Sequence, residues 1–483
     1  MLTVAWSIAA AAFAREPDVA GIKAYELPAY TLVTADPAAA RAATRAAARA
    51  DALLNKLLDR ATHARSAPTI LALLPNSIWA RYLAPGQDIT GLFVPGPFAN
   101  YVEVGVGGGG LERGVMHEYA HCFLHTQFGG LVPLWFDEGI AQFAAATTFN
   151  GDIATIGEMR RTMVYTPGMG GWWPKDTDWM PMVTLLGLDG YSRIYRDTER
   201  SYTVHKQAWV MVHRGLAADP AKFGRQMYEL LEAQNELVPT EIAIPRIFGM
   251  SPGEFDLMLR AYSKGEFVIR ELAVGAVTVP ELPTGRDLPA LESLELIAGM
   301  MMVSGYNANR LVEVVEAMQR VAPGSPVARA WRMRLAARRG DGAALNQLVQ
   351  GLTVGSDPRV LRGAGLALFE RALAAKADAR PDRAFVLLDL AAKSRPDDAE
   401  VVWAHATLAA GLKRDLPVAR DRIEALRASW PANADLAMAA TQVYEALGEN
   451  EKARAALLDT RRLAKRPEMV RWAKQKLARS AEG

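Results

Sequence analysis

The sequence predicts two regions of different class, an α+β region reaching to about residue 280 and an all-α solenoid from 288 to 483. Three observations carry this. Up to about Gly275, strand-like and helix-like patterns alternate among many glycines, prolines and aromatic residues. After about Leu288 the chain is rich in Ala, Leu and Arg and nearly free of β-branched runs. There, Pro323, Pro358, Pro396, Pro431 and Pro467 follow one another at intervals of 35, 38, 35 and 36 residues. At 483 residues the chain has room for two or three domains of roughly 150 residues each.

In the first region Tyr30 to Ala35 reads as a strand, Pro37 to Ala64 as a long Ala/Arg helix, and Pro68 to Leu74 and Asn100 to Gly105 as further strands. Arg41, Arg45 and Arg49 recur every four residues on that helix and read as a solvated face. Glycines 107 to 110 follow the last strand without Gly-Lys-Ser/Thr, so they read as a flexible turn and not as a phosphate cradle.

In the second region the proline period resembles that of tetratricopeptide repeats, paired helices of about 34 residues whose second helix is closed by proline. Ala384, Leu388 and Ala391 precede Pro396 by 12, 8 and 5 positions, and Ala419, Ile423 and Leu426 precede Pro431 by the same offsets. A small residue at the first place lets two helices approach, and Trp403 fills a large-residue place on the partner helix. Asn346 and Gln350 stand where the pattern wants Ala and an apolar residue. Such arrays offer a surface to a protein partner or act as a rigid platform. The basic end, including Arg461, Lys465, Arg466, Arg471 and Lys474, reads as a solvated helix face.

Composition excludes several classes. With 50% hydrophobic and 22% charged residues the chain can bury a core. A net charge of +2 argues against a nucleic-acid binder, which carries a basic excess. The one cysteine, Cys122, excludes a disulfide framework, so any metal falls to carboxylates and the seven histidines. Residues 1–14, MLTVAWSIAAAAFA, have the apolar run and small-residue end of a secretory signal, which implies a periplasmic or secreted protein. No stretch reads as an integral membrane segment, which needs about 20 apolar residues.

The chemistry is concentrated in His117-Glu118-Tyr119-Ala120-His121. Leu111, Val115, Met116, Ala120, Phe123 and Leu124 mark a helix around it, so His117 and His121 share a face and can aim both rings at one metal. Glu118, offset by one position, is placed to reach a water beside the metal. A third ligand is available in Pro133-Leu-Trp-Phe-Asp-Glu-Gly-Ile-Ala-Gln-Phe143, a second helix whose Gly139 lets it lie close to the first.

Together these segments resemble the gluzincin metallopeptidases, in particular the bacterial peptidase-MA-like families, whose HExxH helix is followed by a helix of the form W-x-x-E-G-x-A-x-(aromatic). Trp135, Glu138, Gly139, Ala141 and Phe143 fit that form. The resemblance implies a zincin-like domain over 15–280, with zinc held by His117, His121 and Glu138 and with Glu118 as general base for peptide-bond hydrolysis by water. Asp137 stands as a competing ligand or as an acceptor behind one. His125 reads as a further acceptor-bound or packed ring. Tyr202-Thr-Val-His-Lys-Gln-Ala-Trp209 resembles a third family helix, which makes His205 or Tyr202 the candidate donor to the oxyanion. His213 reads as structural and Cys122 as a buried apolar side chain. The Trp/Met/Gly/Pro loop from Gly168 to Met182 is a candidate cleft wall. The expected substrate is a peptide or protein. The alternative is a peptidase-like protein that has lost catalysis and binds a partner through its repeats.

Overall fold

The computed structural model describes residues 17–58, 66–83, 91–106, 110–158, 179–190, 192–305, 310–376 and 379–482. Residues 1–14 lie outside these, as do Gly107 to Gly109 and most of the Gly168 to Met182 loop. The chain is mostly helical, with an α+β region first and a solenoid of helical hairpins after it. Among the described residues, no helix is long and apolar enough to cross a membrane.

A mixed six-stranded sheet organises the first region. Its strands are β1 (Lys23–Glu26), β2 (Thr31–Thr34), β3 (Thr69–Pro75), β4 (Gly91–Val94), β5 (Asn100–Val106) and β9 (Arg286–Asp287), in the order β4-β5-β3-β2-β1-β9. Parallel pairs β2–β3 and β3–β5 form the centre, and antiparallel β4 closes the edge nearest the site. A second sheet joins β6 (Thr148–Asn150), β7 (Ile153–Ile156) and β8 (Arg270–Ala273). Strands β1, β4 and β6 to β9 add to those expected from the sequence.

Helix α1 (Pro37–Leu57) starts at Asp36, whose carboxylate accepts the Ala38 N–H at 2.7 Å. It buries a stripe of small residues, Ala39, Ala43, Ala46 and Ala50, which brings it close to the sheet. Helix α2 (Leu111–Gln127) follows Gly110, whose φ of +115° suits glycine. Val115, Met116, Tyr119 and Cys122 pack on the same sheet face as α1, while Phe123 and Leu124 pack behind, against α3 (Leu134–Ala146). Arg45 and Arg49 are not merely solvated, since both reach Glu112 on α2, at 3.0 and 3.5 Å.

Helix α4 (Thr198–His213) lies against α3. Here Gly139 acts differently from expectation. A Cβ on it would sit 2.5 Å from Val212 Cγ2 and 2.7 Å from the Ala208 carbonyl oxygen, so the close approach it permits is to α4 and not to α2. Helices α5 (Arg225–Asn235), α6 (Thr240–Phe248) and α7 (Pro252–Ser263) complete this core. His213 is fully buried, 2.7 Å from the Tyr262 hydroxyl, and is structural.

The other sheet face is covered from beyond residue 288. Helices α8 (Ala290–Ser304) and α9 (Leu311–Val321) pack Leu294, Ile297, Met301, Val314 and Met318 onto Ala24, Val33, Ala72, Leu74 and Tyr101. The hairpins continue through α10 (Pro326–Arg338), α11 (Gly342–Val349), α12 (Pro358–Leu373), α13 (Pro381–Ser394), α14 (Ala399–Leu412) and α15 (Leu416–Ser429). The array ends in α16 (Ala434–Leu447), α17 (Asn450–Leu463) and α18 (Pro467–Glu482). All five periodic prolines fall at joints between hairpins, but Pro358 and Pro467 open helices where closure was expected. Proline suits the first helical position because its missing N–H has no partner there. Ala384, Leu388, Ala391, Ala419, Ile423 and Leu426 are buried, whereas Asn346 and Gln350 give way to Leu345 and Val349, one residue earlier. Trp403 packs edge-on to Phe369 and also meets Phe98 of the first region.

Candidate metal centre

Helix periodicity brings His117 and His121 to one side of α2, with their Nε2 atoms 3.2 Å apart. Helix α3 adds Glu138, whose Oε2 lies 3.6 Å from His117 Nε2 and 3.7 Å from His121 Nε2. Two donors each about 2.0–2.1 Å from a zinc ion stand about 3.3 Å apart at a tetrahedral angle. The three atoms therefore have the spacing of a ligand set. From α4, His205 Nε2 approaches the same oxygen to 2.9 Å. Glu138 Oε2 is buried, with His205 as its near partner and the His117 and His121 nitrogens further off. A buried carboxylate oxygen faced by three imidazole nitrogens is in the position of one that binds a cation.

The groups behind these atoms set their states. Asp137 lies one position from Glu138 and accepts from His121 Nδ1 at 2.7 Å, leaving Nε2 to face the site. Its other oxygen meets His125 Nε2 at 2.9 Å. Asp137 is thus the acceptor behind His121, and His125 belongs to the same chain of contacts. Burial opposes ionisation of Asp137, but His121 and His125 hold it down to about 2. Burial and the neighbouring His121 push His117 down to about 3, so its ring is neutral with a lone pair to offer. Burial also disfavours a charge on His121, yet Asp137 and Glu138 outweigh it and raise the ring to about 10. Two carboxylates at this point call for positive charge. Burial notwithstanding, the rings facing Glu138 keep it well below the usual carboxylate range.

Glu118 lies under the edge strand. A Cβ on Gly91 would come within 2.6 Å of Glu118 Cγ, so only glycine lets β4 pass so close, and the Phe93 N–H donates to the Glu118 carboxylate. Burial is the largest influence and pushes Glu118 up to about 8, against the pull of His121. A carboxyl poised near neutrality suits proton transfer at physiological pH. One ligand atom each from His117, Glu118 and His121, and one each from His117, Glu138 and His205, fall within 4.8 Å of one another. The Phe93 ring stacks beside His121, with centroids 6.3 Å apart.

Five of the six residues singled out from the sequence therefore converge. Tyr202 is the exception. It lines the cleft on α4, one turn before His205, and among the described residues makes no polar contact with the cluster. His205 is held by its Nδ1–H donating to the Ser201 carbonyl at 2.5 Å. Burial works against a charge on His205, but Glu138 and the Ser201 carbonyl raise it. Sequence reasoning missed Tyr195, whose hydroxyl donates to Glu138 Oε1 at 2.5 Å. Burial and the charge of Glu138 raise Tyr195 well above its ordinary value, which keeps that proton in place. Tyr195 comes from a single helical turn, Arg193–Arg196, with no periodicity to mark it. Cys122 is buried beside Thr69 and pushed up to about 12 by burial, so it is inert.

No family model matches the chain, and no curated protein matches it. Among solved structures the chain is similar to a mutant of MamA, at 16% identity over 35% of this chain and 97% of that one, with a TM-score of 0.27.

Proposed function

We propose that the protein is a zinc-dependent peptidase of gluzincin type whose tetratricopeptide-like repeats are joined to the catalytic region. The observation that carries this reading is the buried Glu138 Oε2 at ligand-set spacing from His117 and His121, with Glu118 next to them. In this reading His117, His121 and Glu138 hold the ion. When bound, zinc supplies a Lewis acid for the carbonyl and lowers the pKa of a coordinated water to about 7. Glu118 takes a proton from the attacking water and returns it to the leaving amine. His205, held by Ser201, donates to the developing oxyanion, and Asp137 fixes the His121 ring through Nδ1. Edge strand β4 and the Phe93 ring lie beside these residues, and in this reading a substrate would pass along them.

The test is zinc content together with hydrolysis of a degenerate peptide library. The wild type is expected to hold one zinc per chain and to cleave, and Glu138→Gln is expected to lose the metal. A wild-type protein that takes up no zinc would sink the proposal. One that takes it up and cleaves nothing would favour a partner-binding role for the repeats.

Tyr195→Phe offers a finer check. Without its hydroxyl the Glu138 carboxylate is free to rotate, and zinc affinity is expected to fall by about 10- to 100-fold. Competition with a chelator measures it, and an unchanged dissociation constant would remove Tyr195 from the ligand support.

A further inference from the structure

The metal cluster forms one wall of a cleft of about 1970 Å³, larger than the roughly 300–1,000 Å³ that encloses a small ligand. The solenoid forms the opposite wall. Residues from the joint before α16, from the α17–α18 joint and from the end of α10 line it. This wall is anchored to the catalytic region at three places. Asn433 Nδ2 donates to the carbonyls of Ser66 and Pro97, at 2.8 and 2.5 Å. The Lys465 ammonium donates to the Phe128 carbonyl at the end of α2, and burial pushes it down to about 7. Arg461 and Lys474 both bind Glu236. The basic end of the chain is thus partly spent on docking, which corrects its reading as a solvated face.

On the solenoid wall Arg338 and Arg471 stand beside Lys465, which is bound to the Phe128 carbonyl, and Arg466. Arg466 is neutralised by Asp435 at 2.6 Å and Glu468 at 3.8 Å. Arg338 and Arg471 are exposed, line the cleft and, among the described residues, have no carboxylate within ion-pair distance. A guanidinium facing a cleft pairs carboxylates through its fork of donors.

We infer that the solenoid wall is a substrate subsite, with Arg338 and Arg471 binding acidic side chains of an extended polypeptide that flank the bond cleaved at the metal. The inference rests on the peptidase reading for its chemistry, but recognition can be measured without turnover. The probe is a pair of labelled peptides of equal length, one Glu-rich and one with Gln at the same places. They are titrated against full-length, zinc-loaded Glu118→Gln protein by fluorescence anisotropy. The Glu peptide is expected to bind about tenfold more tightly at low ionic strength, with the margin shrinking as salt is added. Adding Arg338→Glu and Arg471→Glu together should abolish the margin, and the milder Arg338→Gln with Arg471→Gln should reduce it. Arg41→Glu makes the same charge change on the exposed face of α1, outside the cleft, and should leave the margin intact. Equal binding of the two peptides, or a margin that survives the double reversal, would overturn the inference. Wild-type turnover separates the two claims: a Glu-peptide preference without cleavage removes the peptidase and keeps the acidic subsite, and cleavage without preference does the reverse.

Discussion

Glu118→Gln protein is expected to keep its zinc and to lose at least about 10³-fold in kcat, as removal of a general base does. Gln has nearly the shape of Glu and still accepts from the Phe93 N–H, so β4 keeps its place over residue 118 at Gly91. What it cannot do is take a proton. The ligands His117, His121 and Glu138 are untouched, which separates this variant from Glu138→Gln, where metal and activity go together. Zinc analysis and single-turnover cleavage on the same preparation measure both quantities. A Glu118→Gln enzyme retaining a tenth of wild-type kcat would mean that another group is the base.

Glu103→Leu is expected to stabilise the protein by about 3 kcal/mol at pH 7. Glu103 sits in the middle of β5, between Ala72 of β3 and Leu92 of β4. It is fully buried, and both its carboxylate oxygens lack a partner. It shares strand parity with Tyr101, which faces the layer made by α8 and α9. Burial, with a further push from Glu118, raises it to about 8. The folded-state value is above the unfolded one, so the native state gains nothing by ionisation. Stability is complete below about pH 4.5 and is lost as pH rises towards 8. Leucine removes that slope. The measurement is the urea midpoint of both proteins at pH 5 and pH 8, with the gain much larger at pH 8. Equal gains at the two pH values would show that the Glu103 proton is not the cause.

The parts legible in the sequence were those governed by local periodicity. An i, i+4 pair on an apolar-striped helix places two imidazoles together whatever surrounds it, so His117 and His121 were readable, with Glu118 beside them. Glu138 was readable because its own helix carries a marked pattern, Trp135 through Phe143. The hairpin period was readable from proline, which tolerates only a few helix positions. The contacts that complete the site depend on long-range packing and leave no local mark. Tyr195 reaches Glu138 from an isolated turn. Edge strand β4 is four residues long, and Gly91 gives no hint that it covers a carboxylate 27 positions ahead. Gly139 was recognised as a close-approach residue, but pattern alone could not say which helix approached. Nor could the Ala/Leu-rich helices after 288 reveal that the first of them is half of the sheet's own core.

The bond from Lys465 to the Phe128 carbonyl spans 337 positions of the chain. At a synthesis rate of about 5–20 residues per second, the helix that carries His117 and His121 leaves the ribosome some 20–70 s before the residue that caps its end. Over that interval α2 and α3 can pair; the face of the sheet awaiting α8 and α9 stays wet for about the first half of it, and the far wall of the cleft is incomplete until its end. The arrangement builds a delay into biogenesis: a nascent chain can own His117, His121 and Glu138 well before it owns the second wall of the cleft.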